Sequence, residues 1–161
     1  CEAFFHGTPV QMLPLHTLHV ISGRRASMFG KSVRWRSHCP VNGEEFPDGQ
    51  LNASDVLNAI KPKVLRGKGK NARGHAGGVL PRDGLCVLGV TMSDLYCDDD
   101  DVFTGGLACL TSRAGVFSFA RYRHVDRGVL LGRATKTAVH ELAHMYGVGH
   151  CLHRRCLMNG S

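Results

Sequence analysis

The feature that most constrains this chain is the run at residues 140–151, which reads His-Glu-Leu-Ala-His-Met-Tyr-Gly-Val-Gly-His-Cys. On a helix, His140 and His144 are four residues apart, so their imidazoles project from one face and can share a metal ion. His150 comes six residues after His144, too far round to join that face if the helix continued. Gly147 permits a turn, because glycine accepts the left-handed backbone conformation that ends many helices. The spacing therefore predicts a helix, a bend and three histidine ligands for one zinc ion.

Glu141 stands between the first two histidines in a position that suits a general base. Three neutral imidazoles leave a zinc ion its full charge and one open position for water. The Glu141 carboxylate can take a proton from that water as it attacks a peptide carbonyl, and then pass the proton to the leaving amine. The pattern predicts zinc-dependent peptide hydrolysis. The alternative is a helix whose histidines only form hydrogen bonds or face solvent.

The residues that follow the third histidine extend the pattern. Cys151 comes directly after it, Cys156 follows after four intervening residues, and Met158 lies two positions further on. Taken with the preceding motif, this arrangement resembles the archaemetzincin family of zinc metalloproteases, part of the metzincin clan. The stretches at 85–96 and 115–122 also resemble segments of that family.

The resemblance implies a fold and a second metal site. The fold is a metzincin-like zincin fold of the α/β (α+β) class, a mixed twisted sheet with an antiparallel edge strand packed on the active-site helix. Met158 would pack beneath the metal ligands, and Cys151 and Cys156 would form part of a site for a second, structural zinc. The family completes that site with a later Cys-x-x-Cys, which this sequence does not contain. Because two thiolates cannot fill a four-coordinate shell, we expect the second ion to be absent, weakly held or completed by His153, and residues 151–161 to be loosely held.

Length and composition bound the remaining possibilities. A chain of 161 residues with 43% hydrophobic residues can form one domain, so we expect a single catalytic domain over 1–161, truncated at its C-terminus. Seven cysteines without dense spacing favour a reducing compartment. No apolar run approaches the roughly 18 residues that span a bilayer. We expect a soluble, intracellular monomer of the cytoplasm or nucleus, with a peptide or protein substrate and no membrane contact.

Periodicity predicts the main elements around the motif. An Asn52 cap and apolar residues at helical spacing predict a short helix over 52–61. The nearly continuous apolar run 84–92 predicts a central strand covered on both faces. Alternation over 115–122 predicts a half-buried strand, to which we assign the edge position beside the cleft. Residues 12–21 are rich in strand formers, although Pro14 limits any strand to an edge or to the part after it.

The active-site helix is predicted to begin near Thr135 to Thr137 and to end at Tyr146. Residues on one side of it should pack on the sheet; these are Val139, Leu142, Ala143 and Tyr146. The histidines and Glu141 should face the cleft. Candidate groups for stabilising the transition state are Tyr122, Tyr146 and Arg121.

Two other hypotheses remain, and the first, nucleic-acid binding, rests on a basic, glycine-rich stretch at 61–80 and on the formal net charge of +7. Clustered cations can neutralise phosphates, but this stretch has no aromatic ring for base stacking, so we expect a solvated loop rather than a nucleic-acid site. The second hypothesis is a zinc-binding interaction or regulatory module that lacks catalytic activity, because half of the second zinc site is missing.

Overall fold

The computed structural model describes residues 6–61 and 84–159, which form two sheets and two α-helices. The predicted loop at 61–80 therefore lies outside the described residues, apart from Lys61. The elements in chain order are β1 His19–Ser22, β2 Arg25–Met28, β3 Lys31–His38, β4 Glu45–Asn52, α1 Ala53–Ile60, β5 Val87–Thr91, β6 Asp94–Tyr96, β7 Gly106–Cys109, β8 Ala114–Ser118, a 3-10 turn Ala120–Tyr122, and α2 Arg127–Met145.

The larger sheet has the order β1-β2-β3-β4-β6 and is antiparallel except for the parallel pair β4 and β6. The smaller sheet has the order β5-β8-β7, with β5 parallel and β7 antiparallel to β8. An isolated bridge pairs Leu95 of β6 with Thr104, which lies two positions before β7. Mixed strands and an antiparallel edge strand agree with the fold class predicted from the sequence.

Helix α1 confirms the prediction for 52–61. The Asn52 side chain accepts a hydrogen bond from the Asp55 amide at 3.0 Å, which satisfies one of the open donors of the first turn. At the other end, the Lys31 ammonium donates to the carbonyls of Asn58 and Ala59. A cation at the C-terminal end of a helix interacts favourably with the partial negative charge of the helix dipole.

Two strand predictions are wrong in their positions. The run 84–92 contains β5, but β5 is an edge strand of the smaller sheet and Val90 is 58% exposed. The stretch 115–122 is not the edge strand: β8 is the middle strand, and the chain turns at Ala120–Tyr122. All five residues of β8 are buried, because Val116 packs with α1 and Phe117 packs with α2. The antiparallel edge strand of this sheet is β7.

Strand β1 confirms the limit set by Pro14, since it begins at His19 and lies at the edge of its sheet. Helix α2 begins earlier than predicted, at Arg127. The Asp126 carboxylate caps it by accepting hydrogen bonds from the amides of Gly128 at 2.6 Å and Val129 at 3.3 Å. In the described part of the chain, no helix is both long and apolar enough to cross a lipid bilayer.

Candidate metal centre

The C-terminal end of α2 makes the bend that the sequence predicts. Gly147 has a φ of +88°, in the left-handed region that favours glycine. Its amide donates to the carbonyl of His144 at 3.0 Å, and the Val148 amide donates to the carbonyl of Ala143 at 3.0 Å. These bonds satisfy carbonyls that the ending helix leaves open, and they turn the chain back toward the helix.

The bend brings the three motif histidines together. The Nε2 atom of His144 lies 3.0 Å from Nε2 of His140 and 3.1 Å from Nε2 of His150. Two ligands at about 2.0–2.1 Å in tetrahedral positions around a zinc ion would be roughly 3.3 Å apart. The three ring nitrogens therefore fit the corners of one zinc coordination shell. Within residues 6–61 and 84–159, no other group of three or more potential ligands is found.

Two of these rings are oriented by backbone carbonyls. Nδ1 of His140 donates to the carbonyl of Leu157 and Nδ1 of His144 donates to the carbonyl of Val148, each at 2.8 Å. A carbonyl only accepts, so each Nδ1 carries the hydrogen and each neutral ring keeps its Nε2 lone pair for a metal. Such outer contacts fix the tautomer and the ring direction of metal-binding histidines.

Glu141 lies on a neighbouring face of α2, packed against the edge strand. It is 6% exposed, and burial raises the pKa of its carboxyl to about 7. A Cβ atom added to Gly106 of β7 would come within 2.7 Å of the Glu141 Oε1 atom. The carboxyl group is thus in contact with the bare backbone of Gly106. A carboxyl with a pKa near neutrality can accept and release a proton at physiological pH.

The structure separates the three candidate stabilising side chains. The Tyr122 hydroxyl accepts a hydrogen bond from Thr137 Oγ1 at 2.8 Å, one helical turn before Glu141. Arg121 instead forms an ion pair with the buried Asp94, in which Nη2 lies 2.7 Å from Oδ2. Tyr146 is 45% exposed, and its hydroxyl forms a hydrogen bond with the Cys86 thiol directly before β5, so it packs only partly against the smaller sheet.

The segment after the third histidine folds back on itself. The Cys151 amide donates to the carbonyl of Met158 at 2.7 Å, and the Asn159 side chain donates to the carbonyl of Cys151 at 2.9 Å. These bonds close a loop over residues 151–159 that also supplies the Leu157 carbonyl to His140, and whether the segment is loosely held stays a prediction. The backbone amide of His153 and the Cys156 thiol lower the pKa of the Cys151 thiol. No third ligand joins the two cysteines among the described residues.

A sequence profile of peptidase family M54 matches residues 76–161, the part that carries β5 to α2 and the histidine cluster. The chain belongs to peptidase family M54, the archaemetzincin family. Among its relatives, archaemetzincin-2 of Macaca fascicularis is 31% identical over 193 aligned residues, which take in 100% of this chain and 45% of that protein. This archaemetzincin chain therefore spans about half the length of the curated relatives it matches.

Two solved archaemetzincin structures resemble the fold. The structure from Methanopyrus kandleri is 33% identical with a TM-score of 0.51, and the match covers 71% of this chain and 53% of that one. The structure from Archaeoglobus fulgidus, complexed with malonate, is 28% identical with a TM-score of 0.53 over 70% of this chain and 56% of that one. These similarities agree with the zincin-like fold that the family resemblance implies.

Several groups at the site were missed by sequence reasoning. Gly105 and Gly106 form a pair that lets β7 approach α2, and Thr137 holds the Tyr122 hydroxyl. The glycine pair was a usable signal, because two adjacent glycines inside a strand often mark a close approach of another group. The carbonyls of Val148 and Leu157 carried no signal, since every residue has one.

Proposed function

We propose that this chain carries the catalytic centre of a zinc metallopeptidase, which binds one zinc ion through His140, His144 and His150 and hydrolyses peptide bonds with Glu141 as general base. The observation that carries the proposal is that the Nε2 atoms of the three histidines lie close together. In His140 and His144, Nδ1 already donates a hydrogen bond to a backbone carbonyl, which leaves Nε2 to bind the metal. Membership of the archaemetzincin family supports the same conclusion.

The chain's own residues have separate roles in this mechanism. A zinc ion held by the three rings would polarise a substrate carbonyl and lower the pKa of water toward neutrality. The Glu141 carboxylate removes the proton from the attacking water and delivers it to the amine that leaves. This carboxyl lies against Gly106, and the residue is 6% exposed. Edge strand β7 offers its backbone to an extended peptide, which would add to the sheet by main-chain hydrogen bonds.

Zinc content tests the ligand assignment. We expect one zinc per chain in the parent protein, and a loss of affinity by orders of magnitude in His140→Ala, His144→Ala and His150→Ala, since each removes a ligand. His19→Ala is the control, because His19 is an exposed histidine of β1 outside the histidine cluster. Stoichiometric zinc in all three ligand variants would refute the assignment.

A peptide library tests the activity. We expect the zinc-loaded protein to cleave some members of the library, and chelation of zinc to abolish the cleavage. A zinc-binding module without catalytic activity would bind the same ion and cleave no peptide at any loading. Zinc binding without cleavage would therefore favour that alternative over the peptidase.

A further inference from the structure

We propose that Tyr122 is a positioning residue for the general base: its hydroxyl, held by Thr137 against Gly105, sets the spacing between α2 and β7 at which the Glu141 carboxyl packs on Gly106. The inference rests on the proposed function for its catalytic consequence. Its structural part rests on contacts among four elements of the fold, namely the 3-10 turn, α2, β7 and the β8 strand that precedes the turn.

The glycine pair at the start of β7 receives two polar groups side by side. A Cβ at Gly105 would lie 2.8 Å from the Tyr122 hydroxyl oxygen, and a Cβ at Gly106 would lie 2.7 Å from Glu141 Oε1. Real Cβ atoms do not approach other heavy atoms so closely. A side chain at either position would therefore have to displace the Tyr122 hydroxyl or the Glu141 carboxyl, because both groups lie against the glycine pair.

Both groups are tied to the same face of α2. Thr137 and Glu141 are four residues apart, so their side chains lie one above the other on the helix. Thr137 Oγ1 donates to the Tyr122 hydroxyl at 2.8 Å. A helical threonine commonly bonds to its own backbone instead, so this bond uses the side chain to join α2 to the 3-10 turn.

The edge strand is fixed on its other side as well. On that side, the Ser118 amide donates to the Gly105 carbonyl at 3.0 Å, and β7 pairs with β8 in antiparallel register from Gly106 to Cys109. With β7 held by these bonds, the contact at Tyr122 determines how closely α2 approaches it.

Glu141 depends on that spacing because nothing else orients its carboxyl. Across residues 6–61 and 84–159, its carboxylate forms no hydrogen bond, and the residue is 6% exposed. Its position is therefore set by packing against Gly106. Catalytic groups lose much of their effect when displaced by even part of an ångström, so a small change in spacing would reach the reaction.

Kinetic measurements on conservative variants test the proposal. We expect Tyr122→Phe and Thr137→Val each to lower kcat about tenfold, with KM and zinc affinity within about twofold of the parent protein. The double variant should be no worse than either single variant, because both remove the same bond. Thr137→Ser keeps the hydroxyl and should retain kcat. Thr135→Val, on the exposed side of the same helix, is the control and should leave kcat unchanged.

Thermal unfolding gives a second measure that needs no turnover. If Tyr122 positions Glu141, the shifts in Tm caused by Tyr122→Phe and Glu141→Ala should not add, whereas those of Thr135→Val and Glu141→Ala should add. Additive shifts for the first pair, or an unchanged kcat in Tyr122→Phe, would overturn the proposal. A parent protein that cleaves no peptide would refute the proposed function, and the unfolding cycle would still decide whether Tyr122 and Glu141 are coupled.

Discussion

The buried carboxyl of Glu141 predicts a specific dependence of stability on pH in the metal-free protein. Burial raises the pKa of this group from 4.5 to about 7 in the folded chain. Between those two values the folded state holds a proton that the unfolded state has released. Stability is therefore greatest below the unfolded pKa and falls as the pH rises through the folded pKa.

The size of the effect follows from the difference in pKa. A difference of about 2.5 corresponds to about 3.4 kcal/mol at about 1.36 kcal/mol for each pKa unit. The two titrations place about 2.5 kcal/mol of this loss between about pH 5 and about pH 8. Glu141 is 6% exposed, so solvent screens the penalty little.

Urea unfolding of the metal-free protein at these two pH values measures the effect. We expect the parent protein to lose about 2.5 kcal/mol more than Glu141→Gln over this range, because glutamine has no proton to release. Glu45→Gln replaces an exposed glutamate and should follow the parent protein. Parallel pH dependence in the parent protein and Glu141→Gln would show that the carboxyl is not desolvated, and the argument would fail.

Three further predictions concern single positions. Gly49→Ala should destabilise the fold by at least about 2 kcal/mol more than Gly43→Ala, as measured by thermal unfolding. Both glycines have a φ of +72°, but only at Gly49 would the new Cβ meet the Trp35 ring. Gly106→Ala should displace the Glu141 carboxyl and lower kcat at least about tenfold at unchanged zinc content, because the end of the Glu141 side chain can move while the metal ligands stay in place. An unchanged kcat would contradict the proposed packing of Glu141 on Gly106. Cys151→Ser with Cys156→Ser should leave one zinc per chain by metal analysis, since two thiolates do not close a zinc site; loss of a second zinc would show that another ligand completes it.

The part of the site that the sequence predicts well is the part that depends on local geometry. The i, i+4 spacing places His140 and His144 on one face, and Gly147 can adopt the positive φ that brings His150 back. These relations hold within about three helical turns and do not depend on the rest of the fold. The short helix after Asn52 was predictable for the same reason.

Relations between distant segments were not predictable in this way. An apolar run such as 84–92 indicates a strand but does not indicate how many neighbours the strand has, and β5 proved to be an edge strand. Strand β8 is buried on both sides because α1 and α2 cover it, which its alternating pattern does not reveal. The burial of Glu141 likewise depends on Gly106, which lies 35 residues earlier in the chain.

The beginning of α2 shows a third kind of difference. The first turns of this helix contain Gly128 and Gly132, which weaken the helical signal, and most of their residues are exposed. The helix forms from Arg127 because the Asp126 carboxylate caps it and its later turns are buried against the sheet. Tertiary packing thus extends the helix beyond what its own residues favour.

The most direct test of the account compares peptide hydrolysis by the parent protein and Glu141→Gln at equal, measured zinc content. Glutamine keeps the size and shape of the side chain but cannot accept the proton of the attacking water. The account predicts that kcat falls by a factor of about 10² to 10⁴ while the zinc content stays the same. Equal turnover in the two proteins would contradict the role of Glu141 as general base, and loss of zinc from the variant would make Glu141 a ligand instead.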